Sequence, residues 1–373
     1  MKKKYYTLSI VAAAIMLSAC EGNDVIDNTG TGEAEMFSLT FDSEAFMSDQ
    51  DKSAQKSDTR IALNPTNGVA FSWVDGEKIK MANVELPNTG VKDFTASFNG
   101  SISGDLPINL EKVDGNESLI KVYGYTGTGI SPQSDNNSLT ITYPATHKFE
   151  LNPSDISGDY EKYGTVLPFV SVPISEDVMW NGDPENGNVT FTGSGTPTLN
   201  FRPIFSTIRI RLYLPEVLKT AIACNALSSN ASITLSGAQF DGGLELNMDN
   251  SVSSGSTANM VSSLRGASAG TPLSNMKTEF SYIGDYSLKN IVGSEGFFVM
   301  PIFASRADGI TGFTVKFTAE AMVWANEYVP GSYTITAKKT FNISSTTWDY
   351  GEEIQIDIPA DCWTVTPNPT PNE

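Results

Sequence analysis

Hydrophobic and polar residues alternate with a period of two over most of the chain, a pattern typical of β-strands that bury one face. The apolar residues that carry it are Phe37, Leu39, Phe41, Val69, Phe71, Trp73, Ile79, Met81, Leu139, Ile141, Tyr143, Val189, Phe191, Ile208, Ile210, Leu212, Leu214, Ile233, Leu235, Phe313, Val315, Phe317, Tyr333, Ile335, Ile354, Ile356 and Ile358. Alternation, rather than continuous apolar runs, predicts antiparallel sheets with one face toward solvent. A stretch from Pro215 to Leu227 is the one predicted helix.

Turn-forming residues divide this strand-rich region into two parts. Glycine, asparagine and proline are dense between residues 181 and 198, on both sides of one short predicted strand. The strands are spaced as in β-sandwiches. We therefore predict an N-terminal β-sandwich domain over residues 36–197, a C-terminal β-sandwich domain over residues 198–358 and a proline-rich tail over residues 359–373.

The amino terminus has the parts of a secretion signal. Lys2, Lys3 and Lys4 precede an apolar stretch, residues 8–17, that is too short to cross ~30 Å of hydrocarbon as a helix. It ends in Leu17-Ser18-Ala19-Cys20, which resembles the bacterial lipoprotein signal, whose cysteine thiol receives a diacylglycerol. We expect residues 1–19 to be a lipoprotein signal peptide and Cys20 to carry the lipid. The alternative is an ordinary signal peptide followed by an incidental cysteine.

A polar, acidic segment over residues 20–35 predicts a flexible tether after the lipid. Its acidic start resembles the surface-export signal of Bacteroidetes lipoproteins, although a solvated linker has the same composition. These features predict a lipid-anchored protein exposed on the cell outer membrane. With Cys20 lipidated, Cys224 and Cys362 are left, either as one disulfide or as separate thiols.

Composition and motifs narrow the function classes. Lys+Arg 24 against Asp+Glu 43 gives a net charge of −19, which argues against nucleic-acid binding. The one histidine, His147, is expected at a strand end on the surface or rim. A catalytic histidine needs a nucleophile and an orienting acid beside it, and the sequence places neither there. Gly127-Thr128-Gly129 lacks the third glycine of a dinucleotide loop, and Asp183, Glu185 and Asn186 lack EF-hand spacing. We expect no enzyme activity, no cofactor and no metal site.

The five tryptophans are candidates for stacking against sugar rings. Trp73 shares a strand face with Phe71 and is expected in the core. Trp324 and Trp348 fall near strand ends and could be buried or exposed. Trp180 stands just before a polar loop and is the best candidate for an exposed ligand-binding ring.

Several motifs occur in an order that resembles the Bacteroidetes fimbrillin-like lipoproteins, which are subunits of type V pili. The motifs are the strand Met36–Met47 after the lipoprotein signal, Phe71-Ser72-Trp73-Val74-Asp75-Gly76-Glu77-Lys78-Ile79, Tyr143-Pro144-Ala145, Phe201-Arg202-Pro203-Ile204-Phe205-Ser206-Thr207-Ile208-Arg209-Ile210, Phe298-Val299-Met300-Pro301-Ile302 and Trp348-Asp349-Tyr350-Gly351-Glu352-Glu353-Ile354. The resemblance covers nearly all of the mature chain. It implies an all-β fold of two tandem transthyretin-like antiparallel β-sandwich domains.

The resemblance also implies a mode of assembly. In fimbrillin-like shaft subunits, an arginine-specific protease removes the first strand, and a neighbour's carboxy-terminal strand fills the vacated groove. In this sequence the removable strand is Met36–Met47, and cleavage is expected after Arg60 or, as second choice, Lys56. The alternative is that Arg60 belongs to a strand edge. The core residues of the removable strand are Phe37, Leu39 and Phe41.

The carboxy terminus departs from the shaft pattern. After Ile358 the chain is short and proline-rich, and only Ala360 to Thr366 could serve as a donor strand. We therefore expect a tip, anchor or accessory adhesin rather than a shaft subunit. Its expected partners are other pilus subunits, surface glycans or proteins of host or bacteria, and the outer membrane through the lipid. The alternative function is a glycan-binding surface lipoprotein of a polysaccharide-uptake system.

Overall fold

A computed structural model of the chain shows an all-β protein, as the alternating pattern predicts. The structure describes residues 34–44, 61–64, 68–71, 73, 75–86, 89–97, 99–109, 117–133, 136–151, 158–159, 168–180, 188–221, 223–248, 267–282, 297–302, 310–325, 327–346 and 353–368. Within these residues the regular structure is almost entirely β-strand.

The strands of the described residues are numbered β1 to β25 in chain order. They are β1 Glu35–Glu44, β2 Ile61–Asn64, β3 Gly68–Phe71, β4 Lys78–Asn83, β5 Lys92–Ala96, β6 Ser101–Ile108, β7 Glu117–Thr126, β8 Ile130–Pro132, β9 Ser138–Thr142, β10 Thr146–Leu151, β11 Gly158–Asp159, β12 Phe169–Ser171, β13 Ile174–Trp180, β14 Val189–Phe191, β15 Thr198–Pro203, β16 Ser206–Leu212, β17 Ala223–Phe240, β18 Gly243–Asn247, β19 Ala267–Ser268, β20 Leu273–Tyr282, β21 Phe297–Ile302, β22 Ile310–Ala325, β23 Tyr328–Thr346, β24 Glu353–Ile358 and β25 Trp363–Pro367. A 3₁₀ turn, Ala360–Cys362, separates the last two.

The predicted helix from Pro215 to Leu227 is wrong in length. Only one helical turn forms, α1 (Glu216–Lys219), which begins directly after Pro215. The chain then continues into β17, in which Ala223–Ala226 pairs with β22. Backbone pairing in a sheet overrides a weak helical preference. None of the helices in the described ranges is long and apolar enough to cross a membrane.

The largest sheet contains strands from the first part of the chain. Its order is β12-β15-β1-β6-β5-β4-β7-β13-β14, and β12 also pairs with β7. Because of that extra pairing, the seven strands from β12 to β7 form a closed ring. The inward side chains of this ring include Phe41, Phe94, Phe169 and Phe201, all fully buried.

The second large sheet is built around three long strands, β17, β22 and β23. Its order is β11-β10-β20-β17-β22-β23-β25, so β25 is an edge strand. Smaller sheets have the orders β21-β16-β24, β19-β18-β9-β8 and β2-β3. The buried apolar residues of the described ranges form one continuous cluster, which includes inward faces of both large sheets.

The strand pairings cross the boundary predicted at residue 197. The strand β15, which follows that position, pairs with β1 and β12 in the largest sheet. In the other direction, β10 pairs with β20, and β9 pairs with β18. Strand pairing depends on register and on which strands have an unpaired edge. The density of turn-forming residues, from which the boundary was predicted, carries no information about either. The division into tandem domains over 36–197 and 198–358 stays a prediction.

The two cysteines of the strand-rich region lie far apart. Cys224 is opposite Val323 on β22. Cys362 precedes Trp363, whose ring packs against Phe317 with 5.7 Å between centroids. Val323 and Phe317 lie on one strand, roughly 20 Å apart at ~3.4 Å per residue. A disulfide needs Cα atoms within ~7 Å, so of the two alternatives the structure has separate thiols.

Candidate functional site

The first strand, β1, lies inside the largest sheet. It pairs antiparallel with β6 over eight residue pairs, from Glu35 opposite Ile108 to Asp42 opposite Ser101. On its other side, the pairing within the described residues is Asp42–Glu44 with the parallel strand β15. Both partners are distant in the sequence, and no hairpin in the described ranges joins β1 to a neighbouring strand.

The inward face of β1 fills part of the core. Phe37, Leu39 and Phe41 are 6%, 4% and 0% exposed, so the predicted alternation places them as expected. The Phe41 ring lies 6.1 Å from the Phe94 ring and 5.4 Å from the Phe191 ring, measured between centroids. Burial contributes roughly 1.5–3 kcal/mol for each of the three side chains.

A glycine on β6 shapes the groove that holds Leu39. Gly104 is directly opposite Leu39 in the ladder. A Cβ at Gly104 would lie 2.8 Å from Cγ and Cδ2 of Phe94, closer than real contacts allow. The absence of a side chain at this position therefore lets the Phe94 ring pack beneath β1.

The carboxyl end of β1 is fixed by hydrogen bonds around Ser43. The indole Nε1 of Trp73 donates to Ser43 Oγ (2.6 Å), and Ser43 Oγ donates to the Gly100 carbonyl (2.7 Å). The Trp73 ring also packs edge-on against Phe201, with centroids 5.0 Å apart. Ser43 is not among the site residues predicted from the sequence, although alternation places it on the same strand face as Phe37, Leu39 and Phe41.

The outward face of β1 is polar apart from one residue. Met36 is 49% exposed, and Ser38 Oγ donates to the Asp105 carboxylate on β6 (2.8 Å). The strand is described as far as Glu44, so residues 45–47 of the predicted removable strand lie outside the described residues. The structure thus gives β1 one apolar and one polar face, the property needed for insertion into a groove.

Several predicted site residues lie outside the described residues. They are Cys20, Lys56, Arg60, Trp348, Asp183, Glu185 and Asn186. The lipid at Cys20 and the cleavage after Arg60 or Lys56 therefore stay predictions. Within the described ranges, no group of three or more His, Cys, Asp and Glu residues is placed to hold a metal ion.

The tryptophans differ in their surroundings. Trp73 is 3% exposed and lies in the core, as predicted. Trp180, the candidate ligand-binding ring, ends β13, is partly buried and packs against the hydrophobic core. Trp324, for which the sequence allowed both states, is 50% exposed. Of these three rings, Trp324 is thus the most exposed.

The prediction of a surface position for His147 is wrong. His147 lies on β10 and is 1% exposed, and burial lowers its pKa to about 4. Its neighbour Lys148 points to solvent, 3.6 Å from Glu279 on β20. Lys277 also donates to Glu279 (2.7 Å), and this hydrogen bond lowers the pKa of the Glu279 carboxyl. Alternation across β10 therefore buries the imidazole while its neighbours form a surface ion pair.

The carboxy-terminal segment is part of the second large sheet. The predicted donor segment, Ala360 to Thr366, forms one 3₁₀ turn and most of β25. β25 pairs antiparallel with β23, from Trp363 opposite Ala337 to Pro367 opposite Tyr333. In this structure the segment therefore completes the edge of its own sheet.

Comparison with known proteins gives similarity at the level of the fold. No family model matches the chain, and no curated protein matches it. A candidate cell adhesion protein from Bacteroides ovatus is 10% identical, with 90% of this chain and 96% of that chain covered and a TM-score of 0.40. Another from Bacteroides uniformis is 12% identical, with coverages of 83% and 97% and a TM-score of 0.37. A fimbrial assembly protein from Parabacteroides distasonis is 7% identical, with coverages of 90% and 96% and a TM-score of 0.33.

Proposed function

We propose that this protein is a fimbrillin-like pilus subunit or adhesin, held by lipid at the cell surface, whose first strand is exchanged during assembly. The observation that supports this most directly is β1. It is an interior strand with three buried side chains, yet both of its partners in the described part of the chain are distant in the sequence. The order of motifs along the chain supports the same function. The proposal includes no catalytic activity, cofactor or metal.

A single cut between β1 and β2 would convert β1 into a separate peptide held by non-covalent contacts alone. Those contacts are the ladder with β6, the short pairing with β15, and the side chains of Phe37, Leu39 and Phe41. We expect the cut strand to stay bound until a competing strand arrives. Its departure would leave an apolar groove and an unpaired edge of β6, and a donor strand satisfies both.

The carboxy-terminal strand supports a tip, anchor or accessory position over a shaft position. A shaft subunit must release a donor strand into its neighbour. Here β25 pairs with β23 over five residue pairs, and Trp363 and Val365 pack against the core. Releasing β25 would therefore cost this chain its own sheet edge.

We do not propose the glycan-binding alternative as the main function. Its best candidate for an exposed platform was Trp180, and the Trp180 ring packs against its own core. A sugar stacks on the face of a ring, which requires that face to be open to solvent.

Limited trypsin digestion tests the proposal. We expect first cleavage after Arg60 or Lys56, with little change in far-UV circular dichroism, because β1 remains in the groove. The nicked protein should then take up a fluorescent synthetic copy of residues 34–47, since the link that favours the native strand is broken. The intact protein should exclude the same peptide. Mass spectrometry locates the cut, and fluorescence anisotropy measures the uptake.

Matched variants make the test specific. Lys56→Gln combined with Arg60→Gln should remove both early cleavage and peptide uptake. Lys219→Gln, on the surface of α1, removes an exposed trypsin site elsewhere and should behave as wild type. First cleavage at another site, or unfolding of the largest sheet on nicking, would rule out strand exchange at β1.

A further inference from the structure

An exposed apolar surface lies at the end of the hairpin formed by β22 and β23. Met322 and Trp324 are 40% and 50% exposed, and Val329 is 78% exposed. Ala321 and Val323, on either side of Met322 in the sequence, are buried on the opposite face of the sheet. We call Met322, Trp324 and Val329 the hairpin-end patch. This apolar surface is separate from β1, and the inference drawn from it does not depend on strand exchange.

The charged residues of β22 and its turn that lie closest to the hairpin-end patch in the sequence are both acidic. Glu320 lies on the same face of β22 as Met322 and Trp324, and Glu327 is exposed in the turn between the strands. The chain has no Lys or Arg between Phe317 and Ala337. Within the described residues, neither carboxylate has an ion-pair partner. The patch therefore combines an open indole ring with uncompensated negative charge.

We propose that the hairpin-end patch binds an extended basic segment of a partner protein. A cation over the face of an indole ring is attracted by the ring's quadrupole, and Trp is the most favourable aromatic residue for this contact. Glu320 and Glu327 supply the complementary charge on either side of Trp324 in the sequence. A second copy of this chain fits less well, because it brings a net charge of −19 and the same carboxylates to the contact.

The spacing of the residues on β22 specifies the pattern of the partner. Glu320, Met322 and Trp324 alternate outward, so neighbours are ~7 Å apart and the row is ~14 Å long. An extended segment with a basic, an apolar and a second basic residue at alternate positions has the same spacing. One cation then lies near Trp324 and Glu327, the apolar residue contacts Met322, and the second cation lies near Glu320.

A peptide titration tests this proposal on the full chain. The probe is a fluorescent peptide containing Arg-Ser-Leu-Ser-Arg, compared with the same peptide carrying Gln in place of Arg. We expect the basic peptide to bind roughly fivefold or more tightly at low salt, and the difference to shrink as salt rises. Trp324→Ala should weaken binding of the basic peptide about two- to fivefold.

Two further variants separate charge from structure. Glu320→Gln with Glu327→Gln should remove the preference for Arg over Gln while leaving the indole in place. Leu119→Ala, which alters an apolar residue 52% exposed on β7, should bind as wild type. If Trp324→Ala fails to fold, Trp324→Phe is used, and weaker binding is again expected. Equal affinity for both peptides overturns the proposal, as does charge-independent binding of a neutral oligosaccharide that requires Trp324.

Discussion

Burial of one imidazole links the stability of the fold to pH at the scale of a single residue. Burial lowers the pKa of His147 from 6.5 to about 4, so the folded protein keeps it neutral where the unfolded chain already binds a proton. Its contribution to the unfolding free energy is complete above about pH 6.5 and is lost as the pH falls toward about 4. The full loss is about 3 kcal/mol.

Chemical unfolding of wild type and His147→Gln across this pH range measures the contribution. Wild type should lose about 3 kcal/mol more than the variant between neutral pH and about pH 4. Carboxylates whose pKa folding shifts, such as Glu279 with its lowered pKa, are present in both proteins, so their effect cancels in the difference. The same pH dependence in both proteins would show that His147 is not the group responsible.

Single residues were predictable where they belonged to a clear alternating run. Phe37, Leu39 and Phe41 were placed on the buried face of β1 by alternation alone, and the structure places them there. His147 was misplaced because its burial depends on the parallel pairing of β10 with β20, which no local pattern indicates. Trp180 is partly buried because it packs against the hydrophobic core, which its position before a polar loop does not indicate.

At the scale of the element, similar substitutions on the two faces of β1 should change the unfolding free energy by different amounts. Leu39→Ala removes a side chain 4% exposed and should destabilise the protein by roughly 2–5 kcal/mol. Met36→Ala, on the outward face and 49% exposed, should change the unfolding free energy by less than about 0.5 kcal/mol. Urea unfolding of the two variants and wild type measures both.

The same pair of variants also reports on β1 as a separable strand. After cleavage between β1 and β2, Leu39→Ala should speed uptake of the labelled peptide, because the resident strand is held less tightly. Met36→Ala should exchange at the wild-type rate. A large loss of stability in Met36→Ala would contradict the assignment of faces.

Strand positions were predictable from the sequence, whereas strand partners were not. Runs such as Ile208 to Leu212 and Phe313 to Phe317 lie in β16 and β22, as alternation indicates. The predicted helix from Pro215 is too long because the second half of that segment pairs with β22 as a β-strand. Local preference describes what a segment can form, and the available neighbouring edge decides what it does form.

At the scale of the whole molecule, pairing between distant strands determines how the chain is assembled. β1 is completed by β6 and by β15, and β10 pairs with β20. Such contacts between remote segments are slow to form, since loop closure must precede them. The all-β class follows from alternation and turn residues, whereas the closed ring of strands in the largest sheet depends on register that the sequence leaves open.

The lipid predicted at Cys20 would determine where the whole molecule resides. Each buried methylene contributes ~0.8 kcal/mol, and two or more acyl chains are needed for stable anchoring. Wild-type protein expressed in a bacterium that processes lipoproteins should therefore enter the detergent phase in a phase-partitioning assay. Cys20→Ser should leave an unprocessed precursor or an unanchored protein in the aqueous phase. Mass spectrometry of the amino-terminal peptide identifies which of the two forms is present.

A second cysteine variant provides the control for this last prediction. Cys362 is partly exposed in the strand-rich region and forms no disulfide with Cys224. Cys362→Ser should therefore partition with the detergent phase as wild type does, because only the thiol at the signal junction accepts lipid. If Cys20→Ser is still processed and fully membrane-bound, the protein is held at the membrane by something other than a lipid on that residue.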